Sequence, residues 1–221
     1  MFDRVHVIGR GRVGSAVAAR LGERSLAVSA DDPGLVLLCV PDAAIAALAR
    51  ELAPGPWVAH VSGATPLAAL DPHQRRFSVH PLQTFTRQRG AEQLDGAWAA
   101  ITAESEEALA TARWLAETLG LRPFELADDD RLLYHAGAVV ASNYLVTLER
   151  AAAQLAEAAG APPEALVPLI ERTIENGFQL TGPISRGDWA TVEAHKQAIR
   201  AARPELEHLY ETLAGATAML A

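Results

Sequence analysis

The chain has 221 residues, half of them hydrophobic, and its 27 acidic side chains outnumber 19 lysines and arginines for a net charge of −8. That length allows one large or two small domains with a well-buried core, and the acidic balance, with no basic face apparent, argues against a nucleic-acid partner. Apolar runs fall far short of a membrane span, which makes a cytoplasmic setting the default, and the single cysteine, Cys39, rules out a disulfide within the chain.

The chain opens with VHVIGRGRVG at residues 5–14, an apolar run ending in Gly9, Gly11 and Gly14 and followed by an alanine-rich stretch able to start a helix. A G-x-G-x-x-G between strand and helix is the fingerprint of a dinucleotide site. Gly9 suits the tight turn, Gly11 the close approach of backbone to a diphosphate, and Gly14 the packing of helix on strand. Phosphates would rest on the free N–H groups of the helix start, beside Arg12 and Val13. The competing reading is a plain glycine turn.

Further strands are expected at 26–29, 35–40, 57–61, 76–80, 98–102 and 123–126, with helical stretches at 14–21, 43–52, 66–70 and 106–119. Apolar runs alternating with helical periods predict a doubly wound, mainly parallel α/β sheet over residues 1–127. From residue 131 no convincing strand remains. Alanine- and leucine-rich segments at 131–159, 163–177, 191–202 and 204–220 predict an all-helical second domain, residues 128–221, opened by the acidic stretch 128–130.

Ligands of open parallel sheets bind outside the carboxyl ends of the strands, so those ends are where chemistry is expected. The third apolar run ends in Val40 and Pro41, a turn that can run beside a cofactor, with Asp42 suited to the first turn of the next helix. Ser62 follows the next strand, either near a nicotinamide ring or as a cap together with Thr65. FSVHPLQTF then places His80, Gln83 and Thr84 just past a strand. Histidine there can donate a proton to a substrate carbonyl or polarise it, or it can simply hold a loop. Cys39, inside LVLLCV, reads as a buried hydrophobe. No residue set reads as a metal site.

In LLYHAGAVVASNYLVTL, Tyr134, His135, Ser142 and Asn143 interrupt an apolar helix, and the spacings of His135, Ser142 and Asn143 put those three on roughly one face. They either satisfy one another or line a ligand cleft. Further on, LTGPISRGDW breaks the helical pattern. Arg186 there either anchors a substrate carboxylate or belongs to a surface turn whose Asp188 caps the next helix.

HPLQTF at 80–85, YHAGAVVASNYLV at 134–146 and TGPISRGD at 181–188 together resemble a family that joins a Rossmann-like domain to a helical C-terminal domain of unknown function. That family is related to ketopantoate reductase, pyrroline-5-carboxylate reductase and 6-phosphogluconate dehydrogenase. The resemblance implies NADP as the default cofactor, a homodimer formed through the helical domains, and oxidoreductase activity. In related prephenate dehydrogenases a His-Pro pair at the corresponding strand end is catalytic, which points to His80.

One segment departs from that pattern. The stretch after the second strand is short: Ser29 is followed by Asp31 and Asp32, and the next strand starts at residue 35. An acid there favours the ribose hydroxyls of NAD, whereas Ser29 fits NADP, and Arg10 or Arg12 can serve a phosphate. The expectation is an NAD(P)-dependent oxidoreductase that transfers a hydride to or from a small, carboxylate-bearing carbonyl or imine. His80, His135 and Asn143 would be catalytic, Gln83, Thr84, Ser142 and Arg186 would bind substrate, and the three glycines, Ser29, Val40, Pro41 and Ser62 would border the cofactor. The alternative is a dinucleotide sensor or scaffold without turnover.

Overall fold

The computed structural model describes residues 2–221. Its contacts divide the chain into two compact units, one running to Val140 and the other from Ala141 to Ala221. The first contains β1 (Arg4–Ile8), α1 (Arg12–Glu23), β2 (Ala27–Val28), β3 (Leu35–Leu38), α2 (Asp42–Glu51), β4 (Trp57–His60), β5 (Arg76–Pro81), β6 (Trp98–Ala103), α3 (Glu106–Thr118), β7 (Arg122–Glu125) and α4 (Arg131–Val139).

All seven strands form one sheet in the order β2-β1-β3-β4-β5-β6-β7. Every pairing is parallel except β5 with β6, where His80 faces Ala100 and Ser78 faces Thr102. From β1 the chain steps outward to β2 and then returns to β3 on the other side of β1. Such a reversal leaves a crevice at the carboxyl ends of β1 and β3. The architecture is therefore the doubly wound, Rossmann-like one expected.

Alternation along the strands feeds two cores, because successive side chains point to opposite faces. Val5, Val7, Leu37, Phe77 and Ile101 face α1 and α3, where Val17, Leu21, Ala112 and Leu115 cover them. Val36, Leu38 and Val58 point the other way, onto Ile45 and Ala49 of α2 and Leu67 and Leu70 of the 3-10 turn Leu67–Leu70. Each such leucine, cut to alanine, would cost about 2–5 kcal/mol. Arg20, buried on α1, ties that helix to the sheet's far side through Asp95 at 2.7 Å and the carbonyls of Ala91 and Leu119 at 3.0 and 3.2 Å.

The second unit is helical: α5 (Leu145–Ala158), α6 (Val167–Glu175), α7 (Trp189–Ala202) and α8 (Glu207–Ala218), preceded by a π-helical turn at Val140–Tyr144. The continuous helix expected over 131–159 is thus interrupted, and the α-helical period that would align residues 135, 142 and 143 does not hold through 140–144. Few of the unit's apolar side chains are buried: Val192, Ile199 and Ala214 are, while Leu169 is 63% and Phe178 72% exposed. Among the described residues no helix is long and apolar enough to cross a membrane.

Candidate active site

The three fingerprint glycines are needed for three different reasons. Gly9 has φ +105°, and a Cβ there would lie 2.2 Å from the carbonyl oxygen of Cys39, so only glycine lets the β1 turn pass beside β3. A Cβ on Gly14 would lie 2.1 Å from the Gly9 carbonyl oxygen, so its absence lets α1 sit down on the strand. Gly11 is unlike both. A Cβ there would meet nothing within 4 Å, so the protein's own packing does not require glycine at this position, whereas a ligand lying against the backbone would. Gly11 also precedes α1 with no side chain capping the helix, which leaves first-turn N–H groups without a side-chain acceptor. These residues therefore fit a diphosphate.

Around this cradle, Val13 packs partly buried against the core and Arg12 is exposed. Val40 and Pro41 follow β3 and lead into α2, with a Val40 methyl 3.2 Å from where a Gly9 Cβ would be. Cys39 is buried, and desolvation pushes its thiol up to about 12, an inert packing group as expected. Ser29 is engaged locally: its hydroxyl accepts the Asp31 N–H at 3.1 Å and lies 3.2 Å from the Asp31 carboxylate.

The second group of residues lies at the ends of β4 and β5, where α4 passes. His80 at the end of β5 places Nδ1 2.9 Å from the phenolic oxygen of Tyr134, with ring centroids 5.6 Å apart and nearly perpendicular. The His135 ring centroid stands 5.8 Å from that of His80, the two planes at 72°. Burial, reinforced by the charges of His135 and Arg131, lowers the His80 imidazole to about 4. The ordinary histidine value near 6.5 therefore does not apply at this position. Desolvation likewise raises Tyr134 to about 12.

Space for this cluster comes from Gly63, where a Cβ would lie 2.6 Å from His135 Cδ2 and 2.8 and 2.9 Å from His80 Cε1 and Nε2. Ser62 beside it is used for the turn. Its hydroxyl accepts the N–H groups of Ala64 and Thr65 at 3.2 and 3.0 Å and bonds the Thr65 hydroxyl at 2.9 Å, so the capping reading describes its contacts.

Two participants, Arg131 and His60, were missed in the sequence. Arg131, 1% exposed, donates to Ser78 Oγ at 2.6 Å, to Thr102 Oγ1 at 2.8 Å and to the Ser62 carbonyl, fastening the start of α4 across β4, β5 and β6. Its carboxylate neighbour Asp128 stays 3.8 Å from Nε and caps the 3-10 turn by accepting the Leu67 N–H. His60 is fully buried at the end of β4, its Nδ1 accepting the Ser62 N–H at 3.2 Å. Burial, then Arg131 and His80, bring it down to about 3. Tyr134, read from sequence as a polar interruption of the helix, is the hydrogen-bond partner of His80. The available signal was the pair Ser78 and Thr102, two hydroxyls facing each other in otherwise apolar strands, which ask for a buried donor.

Of the remaining expected site residues, Gln83, Thr84, Ser142 and Asn143 have local partners in this structure. The Gln83 carboxamide is spent on its own loop, donating to the Gln93 carbonyl at 3.2 Å and accepting the Thr84 N–H at 2.8 Å. In the helical unit, the Ser142 hydroxyl lies 3.2 Å from Asn143 Oδ1 within the π turn. Arg186 stands exposed at the end of the 3-10 turn Ile184–Arg186, and Asp188 caps α7 through the Thr191 N–H at 3.1 Å and hydroxyl at 2.7 Å.

Topology and site together define a Rossmann-like α/β unit with a dinucleotide-type glycine turn and a histidine-tyrosine pair at the same sheet edge, followed by a helical unit. Residues 97–217, more than half of the chain, match the family described as a domain of unknown function (DUF2520), and the chain belongs to that family. No curated protein matches its sequence. Among solved structures, it is similar to a Bacteroides fragilis protein provisionally named NADP oxidoreductase, at 22% identity and a TM-score of 0.82 over 98% of both chains. It is also similar to an imine reductase of Streptomyces aurantiacus, at 17% identity and a TM-score of 0.68 over 97% of this chain and 95% of that one. A Cupriavidus necator semialdehyde dehydrogenase NAD-binding protein, solved with calcium and NAD, aligns at 18% identity and a TM-score of 0.63 over 96% of this chain and 99% of the other.

Proposed function

We propose that the protein is an NAD(P)-dependent oxidoreductase acting on a small carbonyl or imine compound that bears a carboxylate, with NADP as the default dinucleotide. The observation that carries this reading is the half-buried His80–Tyr134 pair, placed on the same carboxyl edge, in one compact unit, as the glycine cradle. The names of the similar structures agree with it in kind.

A bound nicotinamide dinucleotide supplies or accepts the hydride, and the protein's remaining task is one proton. With its pKa lowered to about 4, His80 is neutral at physiological pH. In its Nε2–H form it polarises a carbonyl or imine as a neutral hydrogen-bond donor, while water supplies the proton that completes the reduced product; in its Nδ1–H form, Nε2 accepts the proton of an alcohol or amine in the oxidative direction. Tyr134 keeps its own proton and orients the ring. When the phenol donates to Nδ1, the ring proton resides on Nε2 and the ring donates; when the phenolic oxygen accepts Nδ1–H, Nε2 is free to take a proton, and in both forms Nε2 lies on the side that Gly63 leaves open. His135 is the second catalytic imidazole in this reading; Ser142, Asn143 and Arg186 are the helical unit's own candidates for binding substrate, Arg186 by the fork geometry that suits a carboxylate. An Arg186→Ala variant is expected to raise KM with little change in kcat.

The exposed apolar side chains of α6 and the segment after it, Leu169, Ile174 and Phe178 among them, support a homodimer formed through the helical unit, since patches of this kind on a soluble protein mark interfaces. Light scattering tests that assignment. Fluorescence titration with NADPH and NADH tests the function: micromolar binding of either supports it, and no binding at millimolar concentration removes it. A sensor without turnover is the second reading, favoured by β2, which is only two residues long and gives little support to an adenosine. Dinucleotide binding without turnover on panels of keto acids and imines would select it.

A further inference from the structure

In a chain of net charge −8, four arginines gather at one place. A cleft of about 360 Å3 opens between the start of α1 and segment 86–90, lined by Arg10, Arg12, Arg87 and Arg89 together with Gly11, and no carboxylate lines it. Of the four, Arg89 has a carboxylate partner, Glu92 at 3.4 Å. Like charges converging on a concave surface repel one another and focus a positive potential, which an anion relieves.

The loop that brings Arg87 and Arg89 is held in place from below. Gln93, only 2% exposed, accepts the Thr86 N–H at 2.7 Å and donates to the carbonyls of Thr86, Arg89 and Gly90 at 3.3, 2.9 and 3.0 Å. Phe85 is buried at the start of the same segment. A carboxamide spent wholly on loop backbone fixes the positions from which the two guanidinium groups extend. Planar guanidinium forks at fixed positions suit phosphoryl oxygens.

We infer that this cleft is a phosphoryl-binding site, with Arg10 and Arg12 of the glycine turn forming one wall and Arg87 and Arg89, from the segment that follows His80, forming the other. The inference rests on the dinucleotide reading and extends it: cofactor phosphates are held partly by the loop that leaves the proposed catalytic histidine. Two sources share the chemistry, the 2′-phosphate of NADP and the diphosphate bridge common to both dinucleotides.

The test is Arg87→Glu/Arg89→Glu in the full-length protein, with Arg87→Lys/Arg89→Lys as the charge-keeping control. All positions are exposed, and circular dichroism checks the fold. Affinities are measured for NADPH, NADH and inorganic pyrophosphate at low salt. The double glutamate variant is expected to weaken NADPH at least tenfold, with the lysine control in between. A loss confined to NADPH assigns the cleft to the 2′-phosphate. Equal loss for NADPH and NADH assigns it to the diphosphate. Wild-type protein that binds pyrophosphate but no dinucleotide, with pyrophosphate lost in the variant, keeps the cleft and ends the oxidoreductase reading. NADPH, NADH and pyrophosphate affinities all within twofold of wild type would overturn the inference, as would wild-type protein that binds none of the three.

Discussion

Each unit of the molecule contains a histidine-tyrosine pair of nearly the same geometry. In the sheet unit, His80 Nδ1 is 2.9 Å from the Tyr134 oxygen with rings 5.6 Å apart at 85°; in the helical unit, His195 Nδ1 is 2.8 Å from the Tyr210 oxygen with rings 5.9 Å apart at 83°. What differs is the setting. His195 is exposed on α7 beside the Lys196–Glu211 ion pair at 3.0 Å. His80 is mostly buried, faces a second histidine, and lies within the field of the buried Arg131. A contact distance therefore says little about chemistry, whereas removal from water next to a fixed cation decides which protonation state a ring holds.

The sharpest way to break this contrast is at Gly63. Gly63→Ala puts a methyl where His80 and His135 now meet and should lower kcat by about 100-fold, the usual effect of displacing a catalytic group by about 1 Å. Steady-state rates, with circular dichroism to show the fold intact, check this. An unchanged rate would remove the histidine cluster from catalysis.

Next in size is Arg131→Met, which leaves Ser78, Thr102 and the Ser62 carbonyl without their buried donor. Urea denaturation should show a loss of roughly 3–5 kcal/mol, the range for breaking a buried charged network, against less than about 0.5 kcal/mol for Arg172→Met on the exposed face of α6.

Acid should separate the units as well. His60 and His80 have folded pKa values of about 3 and about 4, below the ordinary value of 6.5. The unfolded chain takes up their protons first, so their contribution to stability is complete above about pH 6.5 and is lost as pH falls toward 4. While both titrate, the slope approaches about 1.4 kcal/mol per pH unit for each histidine. Urea midpoints at pH 7 and pH 5 measure it, and a His60→Gln/His80→Gln variant should flatten the dependence.

The smallest effect concerns the tyrosines themselves. Tyr134→Phe should cost about 1 kcal/mol of stability and shift the pH-rate profile, while Tyr210→Phe should cost a few tenths and leave the profile in place.

The sheet was legible because its strands alternate so regularly: LVLLCV could be read as a buried central strand from composition alone, and the glycine turn from its flanks. His80 was legible because it ends a strand. Arg131 was not. It follows three aspartates, and a charged string at a helix start reads as a solvated cap until tertiary packing closes over it. Nor was the π turn at Val140–Tyr144, since one extra residue in a helical turn leaves no compositional trace. The lowered pKa of His80 was not legible for the same reason as Arg131: both depend on what distant segments bury.

The most direct test of the central claim is a pH titration of the protein's histidine ring nitrogens by NMR, with and without NADPH, the His80 signals being assigned with His80→Gln. His80 is predicted to stay neutral down to about pH 4 and to shift when NADPH is added. A His80 that protonates near pH 6.5 and ignores NADPH would contradict the account.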